Sequence, residues 1–265
     1  MDAIVDQVWV RRLVAAAVVL QLVIGVVATF TVSAPEAVAV PAASAPLPVE
    51  VPQPEVAPPP PPPPVPGDTA GADAVVPKVA LFEAEGGGEP FASLSNPTFE
   101  KVPLVFHVLE DRGAWLHVRV NTRPNGARAW IRRSDVTLRT LPNRIVIDLS
   151  DRQLTVLHGN DVLAKHPVAI GSPRAPTPLG EFYVDATVNL PKANGPYGAG
   201  QLSVSGFSEV YKTFGGGIGQ IAIHGTNNPS SIGGTVSNGC IRMLNAAWIQ
   251  VASLAANGTP VSIQA

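Results

Sequence analysis

The chain has 265 residues, room for one large domain or two small ones, and its 18 Lys and Arg against 20 Asp and Glu leave a formal charge of −2. That balance lacks the basic excess on which nucleic-acid binding depends, so that class is set aside. The one cysteine, Cys240, excludes an intrachain disulfide.

The charge is unevenly spread. Residues 1–75 hold two basic side chains (Arg11, Arg12) and seven acidic ones, whereas the remainder holds 16 basic and 13 acidic. A mild positive excess there suits an ordinary soluble domain or one facing an acidic polymer. Residues 13–32, LVAAAVVLQLVIGVVATFTV, carry no charge. As a helix such a run spans roughly 30 Å, the hydrocarbon thickness of a bilayer. Arg11 and Arg12 precede it and no Lys or Arg follows before Lys78, so the positive-inside rule places the remainder outside the cell. Residues 1–34 are thus expected to be a cytoplasmic stub and signal-anchor. The alternative is a cleaved signal peptide with Ala37-Val38-Ala39 at the cleavage site, which makes the protein secreted.

From residue 35 to 77 the chain is mostly Ala, Val and Pro, with seven consecutive prolines at 58–64. Such a run favours polyproline II and reads as an extracytoplasmic spacer reaching on the order of 100 Å. Residues 78–140 then show short apolar runs, LVFHVL (104–109), AWLHVRV (114–120) and ARAWIRR (127–133), separated by Asp111-Arg112-Gly113 and Arg123-Pro124-Asn125-Gly126 turns. Trp115, His117 and Arg119 alternate with Leu116, Val118 and Val120, the period of a strand. These features predict a small β-barrel. The string LEDRGAWLHVRVNTRPNGARAWIRRSDV resembles bacterial SH3-like modules of cell-wall enzymes, where Trp115 and Trp130 either line a ligand groove or fill the core.

Residues 141–265 form the second domain. IVIDLS, QLTVLHG, DVLAKHPVAIG, EFYVDATV and QIAIH read as strands, and one late helix is expected with Asn245 as its cap. Leu244, Trp248, Val251 and Ala255 share its apolar face, and Gly258 ends it. The fold class is therefore mainly β: a small barrel followed by a β-rich domain with a late helix. His107, His117, His158 and His166 fall in or beside strands and read as ordinary structural or surface positions.

Two segments carry chemistry, IAIHGT (221–226) and SNGCIRM (237–243). A thiol attacks acyl groups as the thiolate, and a nearby imidazole generates it. Gly239 permits close backbone approach to a substrate, and the N–H groups beside Cys240 are candidates for an oxyanion hole. One Cys and one nearby His fall short of a zinc site's usual ligands, so neither metal nor cofactor is expected.

HGT, fifteen intervening residues from His224 to Cys240, and SNGCIRM closely resemble the active-site signature of bacterial L,D-transpeptidases. The resemblance extends through IVIDLSDRQLTVLHGNDVLAKHPVAIG and TPLGEF. It implies Cys240 as nucleophile, His224 as base and the Gly225 carbonyl as the group orienting the imidazole. Ser237, Asn238, Gly239 and Arg242 are the implied substrate-binding positions. Arg242 either holds a stem carboxylate or pairs internally, and Ser237 either serves the site or shapes its loop. Asn238 departs from the family, in which many members carry a second His at that point. The implied partners are peptidoglycan stem peptides, the membrane through the N-terminal helix, and carbapenem-type β-lactams as inhibitors. The implied reaction releases terminal D-Ala from a tetrapeptide stem and forms a 3→3 cross-link. Transfer to water (an L,D-carboxypeptidase), transfer to a protein amine, and a non-catalytic peptidoglycan-binding wall protein are the alternatives. Tyr197 and the glycine-rich residues 206–219 are candidates for a lid.

Overall fold

The computed structural model describes residues 69–265 apart from Gly215. The apolar run 13–32 and the seven prolines lie outside the described residues, and among the described ones no helix is long and apolar enough to cross a membrane.

The first half contains β1 (Thr69–Ala74), β2 (Lys78–Leu81), β3 (Ala92–Ser95), β4 (Val105–Asp111), β5 (Trp115–Arg119), β6 (Arg128–Arg132) and β7 (Val136–Leu141). Five of them form an antiparallel sheet in the order β6-β5-β4-β1-β7, and β2 pairs with β3. The alternation read from 115–120 is realised: Leu116 and Val118 are fully buried while Trp115, His117 and Arg119 keep partial exposure. They pack with Ala72, Leu81, Phe106 and Ile131 in this module's core. Both tryptophans have their faces occupied. Trp115 meets Phe82 edge-on at 5.2 Å, and Trp130 stacks on His117 at 4.9 Å. Both side chains are half-exposed on the face of the sheet opposite that core, and neither belongs to it.

Regular structure begins before Lys78, earlier than the expected end of the spacer. β1 runs between β4 and β7, pairing Ala72 with both Phe106 and Leu138. Its sequence, TAGADA, has neither β-branched bulk nor a strong alternation beyond Thr69, so nothing local marks it as a strand. The two long neighbours supply the ladder that holds it.

The second half comprises β8 (Asn143–Asp148), β9 (Gln153–His158), β10 (Asp161–Pro167), β11 (Ile170–Gly171), β12 (Gly180–Asn189), β13 (Gly200–Phe207), β14 (Gln220–His224), β15 (Thr235–Ser237), β16 (Ile241–Arg242), α1 (Asn245–Leu254) and β17 (Pro260–Gln264). Eight strands join in the order β10-β9-β8-β17-β12-β13-β14-β16. The β8–β17 and β14–β16 pairs are parallel. Helix α1 closes the core with Trp248 and Val251, which pack among Ile145, Phe182, Leu202 and Ile223. The indole N–H of Trp248 also donates to the Ile223 carbonyl (3.1 Å).

Two details of the helix differ from expectation. Leu244 is the N-cap residue and is exposed, and no side chain caps the helix. Asn245 turns instead toward the loops beside β14, accepting hydrogen bonds at Oδ1 from the Ala199 and Thr226 amides, both at 3.0 Å. Its short carboxamide serves a tertiary turn rather than the helix end.

Because β1 is an inner strand, a chain shortened to residues 78–265 is expected to unfold at a temperature lower by more than about 10 °C than one beginning upstream of Thr69. Losing an inner strand removes several kcal/mol, and each moves Tm by about 2–8 °C. Differential scanning calorimetry of the two chains checks this, and coincident transitions would show β1 to be dispensable.

Candidate active site

β14 and β16 lie side by side in parallel, with Ile223 opposite Ile241 and His224 opposite Arg242. This places His224 at the end of β14 and Cys240 just before β16, where both line one pocket of about 160 Å³. The fifteen-residue separation is spanned by a loop containing the short strand β15.

His224 is buried, and its Nδ1 lies 2.6 Å from the Gly225 carbonyl oxygen. A carbonyl can only accept, so Nδ1 carries the proton and Nε2 keeps its lone pair. Burial is the main cause that lowers the imidazole pKa to about 4, with the Arg242 charge adding to it against the Gly225 hydrogen bond. The ring is therefore neutral at pH 7. The Tyr197 ring packs on it at 4.6 Å between centroids, tilted by 46°.

The backbone at Gly225 has no room for a side chain. A Cβ there would overlap Asn245 Oδ1 and press on the Ala199 amide. The HGT turn thus needs Gly225 because Asn245 fills the space in front of it.

Cys240 retains partial exposure. Burial raises its thiol pKa, while the Ala222 N–H and the Arg242 charge oppose the rise. Both shifts point the same way: the thiol and the imidazole that line this pocket each rest in the neutral form.

The loop before Cys240 is held from two sides. Ser237, fully buried, accepts from the Gly239 amide (3.1 Å) and donates to the Cys240 carbonyl (2.5 Å). Its hydroxyl is thereby committed to shaping the turn, and the Gly239 amide, expected as an oxyanion donor, is bonded to it. Gly239 itself sits at φ +113°, a conformation side chains disfavour. From the other side, Thr177 of the TPLGEF segment accepts from the Gly171 amide (2.9 Å) and donates to the Gly239 carbonyl (3.0 Å). Thr177 was not singled out from the sequence. Its 62-residue separation from Gly239 leaves no local signal.

Asn238 is exposed and lines the pocket. Arg242 also lines it, enters none of the salt bridges among the described residues, and has a buried Nε without a hydrogen-bond partner. A guanidinium left unpaired at a pocket wall is suited to a ligand carboxylate rather than to an internal ion pair. No group of three or more His, Cys, Asp and Glu among the described residues converges to hold a metal ion.

Over this pocket lies the segment following β13, which contributes Ser208, Tyr211, Phe214 and Gly219 to its wall. The first module grips that segment at several points. Arg123 donates to the carbonyls of Ser208 (3.1 Å), Tyr211 (3.2 Å) and Ile218 (3.2 Å). Asn125 donates to the Phe207 carbonyl (2.8 Å) and accepts from its amide (2.7 Å). The turn read at 123–126 is therefore also a clasp on the catalytic half.

A thiol, an N–H-oriented imidazole and an unpaired guanidinium in one pocket define a cysteine acyl-transfer type of site. Comparison with known proteins gives the same class. Residues 142–263 match the family model described as YkuD, the L,D-transpeptidase catalytic domain. YkuD of Bacillus subtilis, named as an L,D-transpeptidase, is 42% identical over 124 residues, 47% of this chain and 67% of that protein. The Bacillus licheniformis YkuD is 43% identical over 125 residues, with the same coverage of each chain. The chain belongs to the L,D-transpeptidase family and carries that family's acyltransferase domain. Among solved structures, an L,D-transpeptidase from Mycobacterium smegmatis matches 59% of this chain and 80% of its own, with 22% identity and a TM-score of 0.37. The family assignment rests on the sequence matches.

The neutral resting pair has a measurable consequence. A lowered imidazole pKa and a raised thiol pKa both disfavour the thiolate–imidazolium form, so the thiolate fraction grows only as pH climbs toward the thiol's own pKa. Alkylation of Cys240 by iodoacetamide is expected to accelerate continuously from about pH 6 to about pH 9. A rate already level between those limits would contradict the neutral pair.

Proposed function

We propose that Cys240 is the nucleophile, His224 the general base and acid, and the Gly225 carbonyl the group that orients the imidazole. The observation carrying this reading is the 2.6 Å contact from His224 Nδ1 to the Gly225 oxygen, which leaves Nε2 as the basic atom in Cys240's own pocket.

The substrate is a peptidoglycan tetrapeptide stem. The thiol gives its proton to His224 Nε2 as Sγ attacks the carbonyl of the stem's third residue. The tetrahedral intermediate collapses with loss of terminal D-Ala, whose amine takes the proton from Nε2. A side-chain amine of a second stem then attacks the thioester, forming a 3→3 cross-link, and its proton returns the sulfur to the thiol. Arg242 receives a stem carboxylate, which its unpaired guanidinium supports. Asn238 stands at the pocket rim and Gly239 brings the backbone close to the acyl group. Carbapenem-type β-lactams acylate the same thiol. Solved L,D-transpeptidases from Enterococcus faecium and Mycobacterium tuberculosis are described as acylated by ertapenem and as holding a faropenem-derived adduct.

The preceding segments fit delivery to the wall. Residues 13–32 anchor the chain in the membrane, the proline-rich stretch spans the gap, and the five-stranded module is an SH3-like unit beside the catalytic half. Its small antiparallel sheet, a β4-β5-β6 meander closed by β1 and β7, supports that reading.

Purified disaccharide-tetrapeptide incubated with the full chain is expected to lose D-Ala and yield 3→3 dimers, detected by liquid chromatography and mass spectrometry. His224→Ala is expected to reduce both by about 10²–10⁴-fold, the usual worth of a general base. D-Ala release with tripeptide as the sole other product would identify an L,D-carboxypeptidase. Absence of any turnover by folded protein would leave a wall-binding role.

A further inference from the structure

A second, larger cavity of about 850 Å³ also reaches Cys240, between the first module and the catalytic sheet. Its charge is opposite to that of the Arg242 pocket. Glu100, from the loop after β3, accepts from Gln201 Nε2 (3.0 Å) and from the Ser203 hydroxyl (2.7 Å) of β13. Asp185, on β12, is 3% exposed. Its Oδ2 accepts from Asn121 Nδ2 (2.6 Å) and Gln220 Nε2 (3.3 Å), while its Oδ1 has no partner. Asn121 Oδ1, in the same wall, is unpartnered too. Burial, chiefly, and the Glu100 charge raise the Asp185 pKa to about 6, against the Gln220 and Asn121 hydrogen bonds that favour the carboxylate. The one cationic side chain in this lining, Lys101, belongs to an exposed residue.

The buried Tyr183 hydroxyl, itself unpartnered, adjoins both groups and brings one donor to two unpartnered acceptors; a buried acceptor left over is expensive and calls for a ligand that brings more. A primary ammonium offers three, with the charge that two carboxylates require. Hydroxyls or amides would fill the hydrogen bonds and leave the charge unanswered.

We propose that this cavity is the acceptor subsite: it binds the ammonium side chain of a diamino-acid residue in the incoming peptide, between Asp185 and Glu100, and leads it to the acyl group on Cys240. The inference rests on the transpeptidase reading and adds where the amine binds. The bound ammonium releases one proton to solvent. Its nitrogen forms the amide bond as the C–S bond breaks, and a second amine proton passes through His224 to the sulfur, restoring the thiol. The first module thus supplies Glu100 and Asn121 to a site that the matched domain, residues 142–263, does not complete by itself.

The test uses the full chain without a donor stem, so that binding is read apart from chemistry. Nα-acetyl-lysine amide and its Nε-acetylated counterpart are titrated by nuclear magnetic resonance. The free amine is expected to bind about tenfold more tightly than the acetylated probe, since only the ammonium makes charge-assisted hydrogen bonds. Glu100→Gln, at a half-buried site, is expected to abolish most of that preference, and Asp185→Asn to do the same where it folds. Equal affinities for the two probes, or a preference unchanged in Glu100→Gln, would overturn the acceptor subsite whether or not the enzyme turns over stems. An amine preference that depends on Glu100, in a chain that forms no acyl-enzyme with a tetrapeptide, would keep the amine site and remove the transpeptidase reading.

Discussion

The hydrogen bond from His224 Nδ1 to the Gly225 carbonyl organises the site. It uses a main-chain oxygen rather than a carboxylate, so the imidazole gains orientation without gaining a nearby negative charge. That choice is consistent with the low imidazole pKa, about 4, in a buried setting beside Arg242. The bond in turn depends on a turn that Asn245 holds in place through the Ala199 and Thr226 amides. Helix α1 brings Asn245 there, and Trp248 of the same helix fastens it to β14 through the Ile223 carbonyl. The late helix is thus a brace behind β14.

The first module participates in the site as well as preceding it. Arg123 and Asn125 hold the backbone of the segment over the pocket, and Arg123 lies over the Phe207 ring at 4.8 Å. His107 on β4 joins the two halves from another direction, with its Nδ1 3.2 Å from the Gly258 carbonyl oxygen. A module whose Arg123 and Asn125 side chains bond the backbone of residues 207–218 restrains that segment more than a flexibly tethered binder would. It also supplies one wall of the larger cavity.

Much of this was legible along the chain. The strands at 115–119 and 153–158 announced themselves because one face is buried and alternation survives in the sequence, whereas 220–224, buried on both faces, reads as a short apolar run. The His224 and Cys240 segments stood out because glycine, a hydroxyl residue and the reactive group are packed into a few positions. The hidden parts are those whose logic is non-local. β1 is a strand by virtue of its neighbours, and β13 buries nearly all of its residues, serines included, which erases the two-residue period. Asn245 looked like a helix cap because Asn at such a position commonly is one, yet its partners lie 46 and 19 residues away. Thr177, Arg123 and Glu100 act on groups 62 to 103 residues distant, and no spacing rule links such pairs.

The proposed acyl transfer requires Cys240 to be an activated nucleophile. Intact-protein mass spectrometry of the full chain with meropenem, beside Cys240→Ser, tests this most directly. A single adduct of the drug's mass on the unaltered protein and none on the variant is the predicted result. An unmodified thiol in folded protein, or equal labelling of both proteins, would contradict it.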